Sequence, residues 1–302
     1  MHQNTIVLIT GASSGLGLET ARQLASRGAA IIMISRDPER GRLAEHRVSD
    51  IATGHPPTLL LADLSSQNSV RALAAQVRSL FPHIDVLINN AGAVFSRRQL
   101  TVDGIEQTFA LNHLAPFLLT QLLFDLVCAA PSGRVINISS EIHSASLDFD
   151  NLQGEKNYNF LEAYNRSKLE NILFTYELAR RSGGSGVTVN SVSPGPTRTH
   201  FGDNLRGLPR LFPLFMKNIP FLFVEPEVGA RGPVYLASSP DVAGLSGRFF
   251  LREREIPSKP VTYNEAIARR LWEISEQLTS AAYHRPQPAS ASLVPDRIQI
   301  WS

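Results

Sequence analysis

Short apolar runs alternate with helical patterns along the first two hundred residues of this chain. The runs are continuous and rich in Ile, Leu and Val, as expected for strands that are buried on both faces of a parallel sheet. This repetition predicts an α/β fold with a doubly wound parallel sheet of about seven strands and helices on both faces. The predicted strands are Thr5–Thr10, Ala30–Ser35, Thr58–Ala62, Val86–Asn89, Gly133–Ser139, Gly186–Val192 and Gly247–Leu251.

Helical patterns fill the spaces between these strands, and no linker divides the chain. We predict one domain over residues 1–280 that ends in an amphipathic helix over 261–280. The proline-containing tail over 281–302 is predicted to be loosely ordered. The predicted helices span about 15–27, 38–52, 66–80, 101–129, 157–182, 229–237 and 261–280.

The composition excludes several classes of protein. Apolar residues make up 43% of the 302 residues and charged residues 19%, which is typical of a folded globular protein. The formal charge of +2, with no block of Lys and Arg, argues against a nucleic-acid partner. MHQNT precedes the first strand without a long apolar run, so we expect neither a secretory signal nor an integral membrane span. The single Cys128 favours a reducing compartment, and we expect a cytoplasmic protein without a metal site.

A glycine-rich turn follows the first predicted strand and precedes an amphipathic helix. It runs from Gly11 to Gly17 and reads GASSGLG. Such a turn lets the backbone approach a phosphate, which the N–H groups at the helix N-terminus then bind. A turn with no ligand is the alternative. The predicted phosphate-binding residues are Gly11, Ser13, Ser14, Gly15, Leu16 and Gly17.

The second predicted strand ends in Ser35-Arg36, where a dinucleotide site selects its cofactor. Sites for NAD usually place an acidic residue here to bind the ribose 2′-hydroxyl, whereas a basic residue suits a 2′-phosphate. The guanidinium of Arg36 can bind a phosphate with two hydrogen bonds, and Arg40 lies one helical turn further on. We therefore favour NADP over NAD, although Asp37 leaves NAD open.

Polar and small residues follow the next three predicted strands, at the edge where an open α/β sheet forms its ligand crevice. Asp63-Leu64 follows the third strand, and Asp63 either binds adenine or caps the next helix. Asn89-Asn90-Ala91-Gly92 ends the fourth strand, and Ser139-Ser140 ends the fifth. Asn112 interrupts an apolar helical pattern; a buried amide needs partners, so it has either a role in the site or a bridging role.

Tyr164 and Lys168 lie four residues apart in a long helical pattern, so their side chains face the same space. A free tyrosine has a pKa of about 10. A nearby ammonium favours the phenolate and lowers that pKa, which makes the pair a candidate general acid and base. An exposed helix pair without chemistry is the alternative that the spacing alone leaves open.

Six features follow one another along the chain: TGASSGLG, NNAG, the helix asparagine, the strand-end serines, YNRSK and Pro194-Gly195. In this order they resemble the short-chain dehydrogenase/reductase family over about residues 4–250, which implies a Rossmann-type fold. RVINISSEIH, YNRSKLENILFTYELARR, VNSVSPGPTRT and LWEIS are similar to the retinol dehydrogenase-like branch. Many relatives in that branch carry a membrane anchor, for which the N-terminal residues show no pattern.

The resemblance implies a role for each catalytic candidate. Tyr164 would donate a proton to a carbonyl oxygen during reduction, or accept one from an alcohol during oxidation. Lys168 would lower the pKa of Tyr164 and bind the nicotinamide ribose. Ser140 would polarise the substrate oxygen, and Asn112 would hold a water in a proton relay to Lys168. For His143 we favour a pocket-wall or structural role over a catalytic one.

The resemblance also implies contacts along the cofactor. Asn89 and the Gly92 backbone would line its channel, Gly195 would leave room for the nicotinamide, and Thr197 would reach its carboxamide. Homodimers and homotetramers are both common in the family, and the sequence leaves the oligomeric state open. Beside the glycine turn, the implied cofactor-binding residues are Arg36, Asp63, Leu64, Asn89, Ala91, Gly92, Tyr164, Lys168, Pro194, Gly195 and Thr197.

Residues 198–224 form an apolar, aromatic segment at the place where the family has its substrate lid. An apolar lid predicts an apolar substrate. A packed subdomain and a patch in peripheral contact with a membrane are the alternatives.

These features predict an NADP(H)-dependent oxidoreductase that interconverts an apolar aldehyde or ketone and its alcohol, with reduction favoured. The alternative is a non-catalytic NADP-binding regulatory or scaffold protein on the same fold, because fold does not fix function.

Overall fold

The computed structural model describes residues 5–196 and 224–281. It contains a mostly parallel sheet with helices on both faces, as predicted. The strands are β1 (Ile6–Thr10), β2 (Ala30–Ser35), β3 (Thr58–Leu61), β4 (Val86–Asn89), β5 (Arg134–Ile138), β6 (Thr188–Ser193), β7 (Arg248–Leu251) and β8 (Arg254–Glu255). The helices are α1 (Gly15–Ala25), α2 (Pro38–Ser49), α3 (Gln67–Leu80), α4 (Gln107–Phe109), α5 (Ala115–Cys128), α6 (Phe160–Arg181), α7 (Pro226–Gly229), α8 (Arg231–Ser238) and α9 (Glu265–Thr279).

The strand order is β3-β2-β1-β4-β5-β6-β7-β8, and every pair except β7 and β8 is parallel. The order reverses between β1 and β4, which is the position where doubly wound sheets open a ligand crevice at the carboxyl ends of their strands. The sheet has eight strands, one more than the seven that the sequence predicts. The eighth comprises only Arg254 and Glu255, too few residues to produce a recognisable apolar run.

Two apolar layers hold the helices against the sheet. Leu24 of α1, Val48 of α2 and Val234 of α8 pack on one face. Val77 of α3, Phe124 of α5 and Leu178 of α6 pack on the other. All six side chains are buried. Because helices cover both faces of the sheet, the groups that a ligand can reach lie at the ends of the strands, where the candidate site is found.

The helix predicted over 101–129 is shorter and less regular than expected. It begins at Gln107, because the Glu106 carboxylate caps it by accepting hydrogen bonds from the Thr108 and Phe109 N–H groups at 2.8 and 2.9 Å. Ala110–Leu114 then form a π-helical segment between α4 and α5. A wide turn of this kind is frequent at functional sites, and this one carries Asn112.

The stretch Gln107–Cys128 is long and apolar enough to cross a membrane, with a mean hydropathy of 1.4. However, 67% of its most apolar window is buried inside the fold. It packs on α3 and on the central strands of the sheet, as a core helix does.

The amphipathic helix predicted at the C-terminal end of the domain corresponds to a short 3₁₀ turn, Pro260–Tyr263, followed by α9. Its apolar stripe packs against α6, and Leu271 and Trp272 are buried. The Trp272 ring lies 5.0 Å from the Phe117 ring and 5.8 Å from the Phe174 ring, measured between centroids. α9 is therefore part of the domain core.

Glu170 is buried in α6, and burial raises its pKa to about 8, although Arg166 lies 3.9 Å away. Between pH 5 and pH 8 the folded state therefore holds a proton that the unfolded state has lost, so this group makes stability fall as pH rises. We expect Glu170→Gln to remove that dependence. The difference between the free energies of unfolding of the variant and the wild type should therefore change in favour of the variant between pH 5 and pH 8. The change should exceed about 1.4 kcal/mol, the equivalent of one pKa unit. Urea denaturation of both proteins at pH 5 and pH 8 measures this change. A difference in stability that is the same at both pH values would contradict the prediction.

Candidate functional site

The glycine turn predicted after β1 lies at the crevice and approaches its surroundings closely. Gly11 has a φ of +66°, which favours glycine. A Cβ on Gly17 would lie 2.4 Å from both the Gly11 carbonyl oxygen and the Asn90 side-chain nitrogen, so no larger residue fits there. Ser14 occupies the N-cap of α1 without a side-chain hydrogen bond to the helix. The turn thus has the close backbone approach that phosphate binding requires.

Asn90 holds this turn in place, a role that its motif alone did not indicate. Its side-chain amide donates to the Thr10 carbonyl at 2.8 Å and to the Gly11 carbonyl at 3.3 Å. The Thr10 hydroxyl in turn accepts hydrogen bonds from the Asn90 and Ala91 N–H groups at 2.9 and 3.0 Å. These bonds join the ends of β1 and β4 on either side of the crevice.

The prediction that Asn89 lines the cofactor channel is corrected by the structure. Asn89 is only 4% exposed, and its amide donates to Thr120 at 3.0 Å and to Asn137 at 2.8 Å. Asn137 continues this polar ladder to Thr175 at 2.9 Å. Neighbouring residues of a strand point to opposite faces of the sheet, so Asn89 faces the helices α5 and α6 beneath the crevice.

Arg36 and Arg40 are exposed where β2 ends and α2 begins. The Asp37 carboxylate between them is engaged as the N-cap of α2, and it accepts hydrogen bonds from the Glu39 and Arg40 N–H groups at 2.9 and 3.0 Å. The N–H donors hold the pKa of Asp37 below its ordinary value. Both guanidinium groups are exposed at this strand end, and Oδ1 of the Asp37 carboxylate is engaged in capping α2.

Asp63 and Leu64 follow β3 at the same edge of the sheet. Asp63 is exposed, and its carboxylate accepts hydrogen bonds from the backbone and hydroxyl of Ser65 at 3.0 and 2.7 Å. It does not cap α3, because Ser66 holds that position. The Leu64 side chain is buried in the core, so only its backbone faces outward to a ligand.

Tyr164 and Lys168 share one face of α6, as predicted. The Lys168 ammonium lies 5.4 Å from the centroid of the Tyr164 ring and donates a hydrogen bond to the Ile138 carbonyl at 3.2 Å. Lys168 is 4% exposed and Tyr164 is half-buried. The α6 segment that carries them begins at Phe160, after Asn159 caps it through the Leu161 and Glu162 N–H groups.

The direction of the Tyr164 pKa differs from the one that the sequence predicted. Burial raises the pKa of Tyr164 above its ordinary value, and it lowers the pKa of Lys168 to about 8. Desolvation disfavours both charged forms, and here it outweighs the attraction of the ammonium for a phenolate. Near neutral pH the phenol therefore remains protonated, which is the form that can donate a proton.

The two serines after β5 have different surroundings. Ser139 is 1% exposed, and its hydroxyl donates to the Lys168 carbonyl at 2.6 Å, so it fastens β5 to α6. Ser140 is half-buried, and its hydroxyl accepts a hydrogen bond from the Ile142 N–H group at 3.3 Å. Of the two serines only Ser140 is partly exposed, and its role at the substrate oxygen stays a prediction.

His143 holds the Ser140 segment in place by a hydrogen bond to its backbone. Its Nε2 accepts a hydrogen bond from the Lys259 N–H group at 3.2 Å, so its Nδ1 carries the proton that it donates to the Ser140 carbonyl at 2.8 Å. The ring is 2% exposed and packs edge-on against Phe249, and burial lowers its pKa. These contacts support the structural interpretation of His143.

Asn112 is fully buried and bridges two sides of the site. Its Oδ1 accepts a hydrogen bond from the Ala93 N–H group at 2.9 Å, and its Nδ2 donates to the Ala93 carbonyl and the Ser167 hydroxyl, both at 3.0 Å. A Cβ on Gly92 would lie 3.2 Å from Oδ1 and 3.7 Å from the Lys168 amino nitrogen. Asn112 therefore positions the β4 loop beside Lys168, and the water relay stays a prediction.

Pro194 and Gly195 follow β6 at the same edge of the sheet. Gly195 has a φ of +79°, and its N–H group donates to the Ser193 hydroxyl at 3.2 Å. Thr197 lies outside the described residues, as do the tail after residue 281 and the segment 198–224 apart from Val224. Within the described part, Gly11–Gly17, Ala91, Gly92, Ser140 and Gly195 follow the carboxyl ends of their strands. Lys168, which shares a helix face with Tyr164, reaches the end of β5 through its bond to the Ile138 carbonyl.

Comparison with known proteins agrees with this geometry. The family model described as short chain dehydrogenase matches residues 5–207. Human retinol dehydrogenase 14 is 43% identical over 291 residues, covering 91% of this chain and 86% of that protein. Human retinol dehydrogenase 13 is 39% identical over 292 residues, covering 93% and 87%.

Solved structures share the fold. A crystal structure of an uncharacterised protein from Mycobacterium paratuberculosis superimposes with a TM-score of 0.75 at 31% identity, covering 93% of this chain and 96% of the other. The RhlG/NADP active-site complex from Pseudomonas aeruginosa gives a TM-score of 0.67 at 27% identity, covering 83% and 97%. With its family match, its relatives and the arrangement at the carboxyl edge of its sheet, the chain belongs to the short-chain dehydrogenase/reductase family and is retinol dehydrogenase-like.

Proposed function

We propose that this oxidoreductase uses NADPH to reduce an apolar aldehyde or ketone to its alcohol. The observation that carries the proposal is the pairing of a half-buried, protonated Tyr164 with a buried Lys168 on one face of α6, beside the crevice. Family membership supports chemistry at a carbonyl or alcohol carbon. In the direction of reduction Tyr164 acts as the acid, and burial, which raises its pKa, keeps the phenol protonated for that role.

The residues around the crevice fit a nicotinamide dinucleotide with a 2′-phosphate. Gly17 leaves a space against Gly11 that any side chain would fill, and the N-cap residue of α1 makes no side-chain hydrogen bond to that helix. Arg36 and Arg40 are exposed at the end of β2, while one oxygen of Asp37, the residue that could serve a ribose hydroxyl, is engaged in capping α2. The NADP complex of RhlG supports the same choice.

Each side chain of the site has a separate task in the proposed reaction. When bound, the cofactor supplies the hydride. The Ser140 hydroxyl orients the substrate carbonyl oxygen, and the Tyr164 hydroxyl donates the proton to it. Lys168 maintains positive charge beneath the crevice, because a pKa of about 8 keeps it largely protonated at neutral pH. Asn112 fixes the loop that follows β4.

Apolar side chains beside the catalytic residues support an apolar substrate. Ile142 is 62% exposed two residues after Ser140, and Leu161 is 53% exposed three residues before Tyr164. The Ser144 N–H group donates to the Asn165 carbonyl at 3.0 Å, so the segments that carry these residues are in contact. The names of the related retinol dehydrogenases support the same substrate class. A lid formed by residues 198–224, a cytoplasmic location and an oligomeric state remain predictions.

The purified protein should oxidise NADPH in the presence of a long apolar aldehyde and should discriminate against a short polar one. A panel of retinal, an aliphatic aldehyde, an aromatic ketone and glyceraldehyde, followed by the absorbance of NADPH, measures this directly. NADPH binding that is tight without turnover on any member of the panel would instead favour the non-catalytic NADP-binding protein. Faster turnover of glyceraldehyde than of retinal would contradict the apolar substrate class.

A further inference from the structure

A cavity lies at the hairpin formed by β7 and β8, beside the carboxyl end of β6. Its volume is about 320 Å³, which is at the lower end of the range for small-molecule sites. Leu251, the last residue of β7, is paired with Ser193 of β6 and with Arg254 of β8. The residues that line this hairpin cavity are Val228, Arg231, Leu251, Arg252, Glu253 and Arg254.

The hairpin cavity carries unneutralised positive charge. Within residues 5–196 and 224–281, none of its three arginines takes part in an ion pair. The neighbouring Arg248 differs, because it pairs with Glu255 at 3.3 Å. Among the described residues of the lining, Glu253 is the one acid. Guanidinium groups that gather around a concave surface without acidic partners are a typical oxyanion site.

The turn of the hairpin places Arg252 in a strained backbone conformation. Arg252 begins the two-residue turn between Leu251 and Arg254 and has a φ of +51°, which favours glycine. Its N–H group donates to the Ser193 carbonyl at 2.9 Å, a bond that glycine could form equally well. Glycine would therefore fit this turn with less strain, and Arg252→Gly removes the guanidinium while it keeps the backbone of the turn.

α8 packs closely against this turn. A Cβ on Gly232 would lie 2.9 Å from the Arg252 Cα atom and 3.0 Å from its carbonyl oxygen, so only glycine permits the contact. That contact places Arg231, the first residue of α8, at the cavity wall opposite the hairpin. Val228 and Leu251 provide apolar surface between the charged groups.

We propose that the hairpin cavity binds a small organic anion, with a phosphate or carboxylate group held by Arg231, Arg252 and Arg254. A short apolar body of the ligand would rest on Val228 and Leu251. This site is separate from the proposed cofactor contacts at Arg36, because β2 and β7 lie on opposite sides of β1 in the sheet. The proposal therefore does not depend on the contacts predicted for Arg36.

Phenyl phosphate and benzoate, titrated into the full chain by calorimetry, test the proposal, with benzyl alcohol as the neutral control. We expect saturable binding of at least one anion and none of the alcohol. Arg252→Gly should weaken that binding at least tenfold without lowering the melting temperature, since glycine accepts the positive φ. Arg248→Ala is the matched control, because it removes a hairpin arginine outside the cavity, and it should bind as the wild type does.

The same titration with Arg36→Asp separates this cavity from the contacts predicted for Arg36. Anion binding should persist in that variant. Three results would overturn the proposal: no saturable binding of either anion, equal weakening by Arg248→Ala and Arg252→Gly, or loss of binding in Arg36→Asp. The relative affinities for phenyl phosphate and benzoate identify which head group the arginines prefer.

Discussion

Tyr164→Phe is expected to lower kcat for carbonyl reduction by about two to four orders of magnitude, the usual contribution of a general acid. Phenylalanine keeps the ring beside the Lys168 ammonium, 5.4 Å from the ring centroid in the native protein, and removes only the hydroxyl. Within residues 5–196 and 224–281, the other candidates at the crevice are poorer proton donors: Ser140 is a weaker acid, and the proton of His143 is directed to a backbone carbonyl. Loss of the phenol therefore leaves the alkoxide without its proton.

Cofactor affinity should separate this effect from damage to the site. The dissociation constant for NADPH, measured by fluorescence titration, should change by less than about tenfold, the equivalent of one hydrogen bond. Tyr176→Phe is the matched control, because Tyr176 lies on the same helix, is 5% exposed and bonds Ser258 at 2.8 Å away from the crevice. It should retain wild-type kcat. If Tyr164→Phe kept kcat within tenfold of the wild type, proton transfer would have to be assigned to another group.

The sequence was sufficient for those features that depend on local spacing. Apolar runs gave the seven longer strands to within two residues at either end, because burial on both faces leaves an uninterrupted pattern. Tyr164 and Lys168 could be placed together because four residues is one helical turn. The glycine turn was equally local, and the clearance around Gly17 explains why glycine is required there.

Features that depend on distant partners could not be predicted in this way. Asn89 and Asn112 are both amides near strand or helix ends, but their partners Asn137 and Ser167 lie 48 and 55 residues further along the chain. The pKa of Tyr164 depends on how much water the folded chain removes, which no spacing reveals. The hairpin cavity joins a helix start, a turn and a two-residue strand, none of which has a periodic pattern.

Arg36→Asp is expected to lower the ratio of kcat/KM for NADPH to that for NADH by about a hundredfold or more. A charge-assisted hydrogen bond contributes about 1.5–3 kcal/mol, and the new carboxylate adds repulsion toward a 2′-phosphate. The same carboxylate could accept hydrogen bonds from the ribose hydroxyls of NADH. In the native protein Oδ1 of Asp37 accepts the Glu39 and Arg40 N–H groups at 2.9 and 3.0 Å, so this carboxylate is held at the N-terminus of α2.

Steady-state kinetics with each cofactor measure the ratio, and Arg47→Asp provides the control. Arg47 is exposed in the last turn of α2, so its replacement makes the same change of net charge at a distance from the end of β2. Arg47→Asp should leave the ratio within about twofold of the wild type at moderate ionic strength, since exposed charges beyond a Debye length are largely screened. An unchanged ratio in Arg36→Asp, with normal turnover, would remove Arg36 from the phosphate site. It would leave the role of Tyr164 untouched, because Arg36 follows β2 and Tyr164 lies on α6, so the two tests can fail independently.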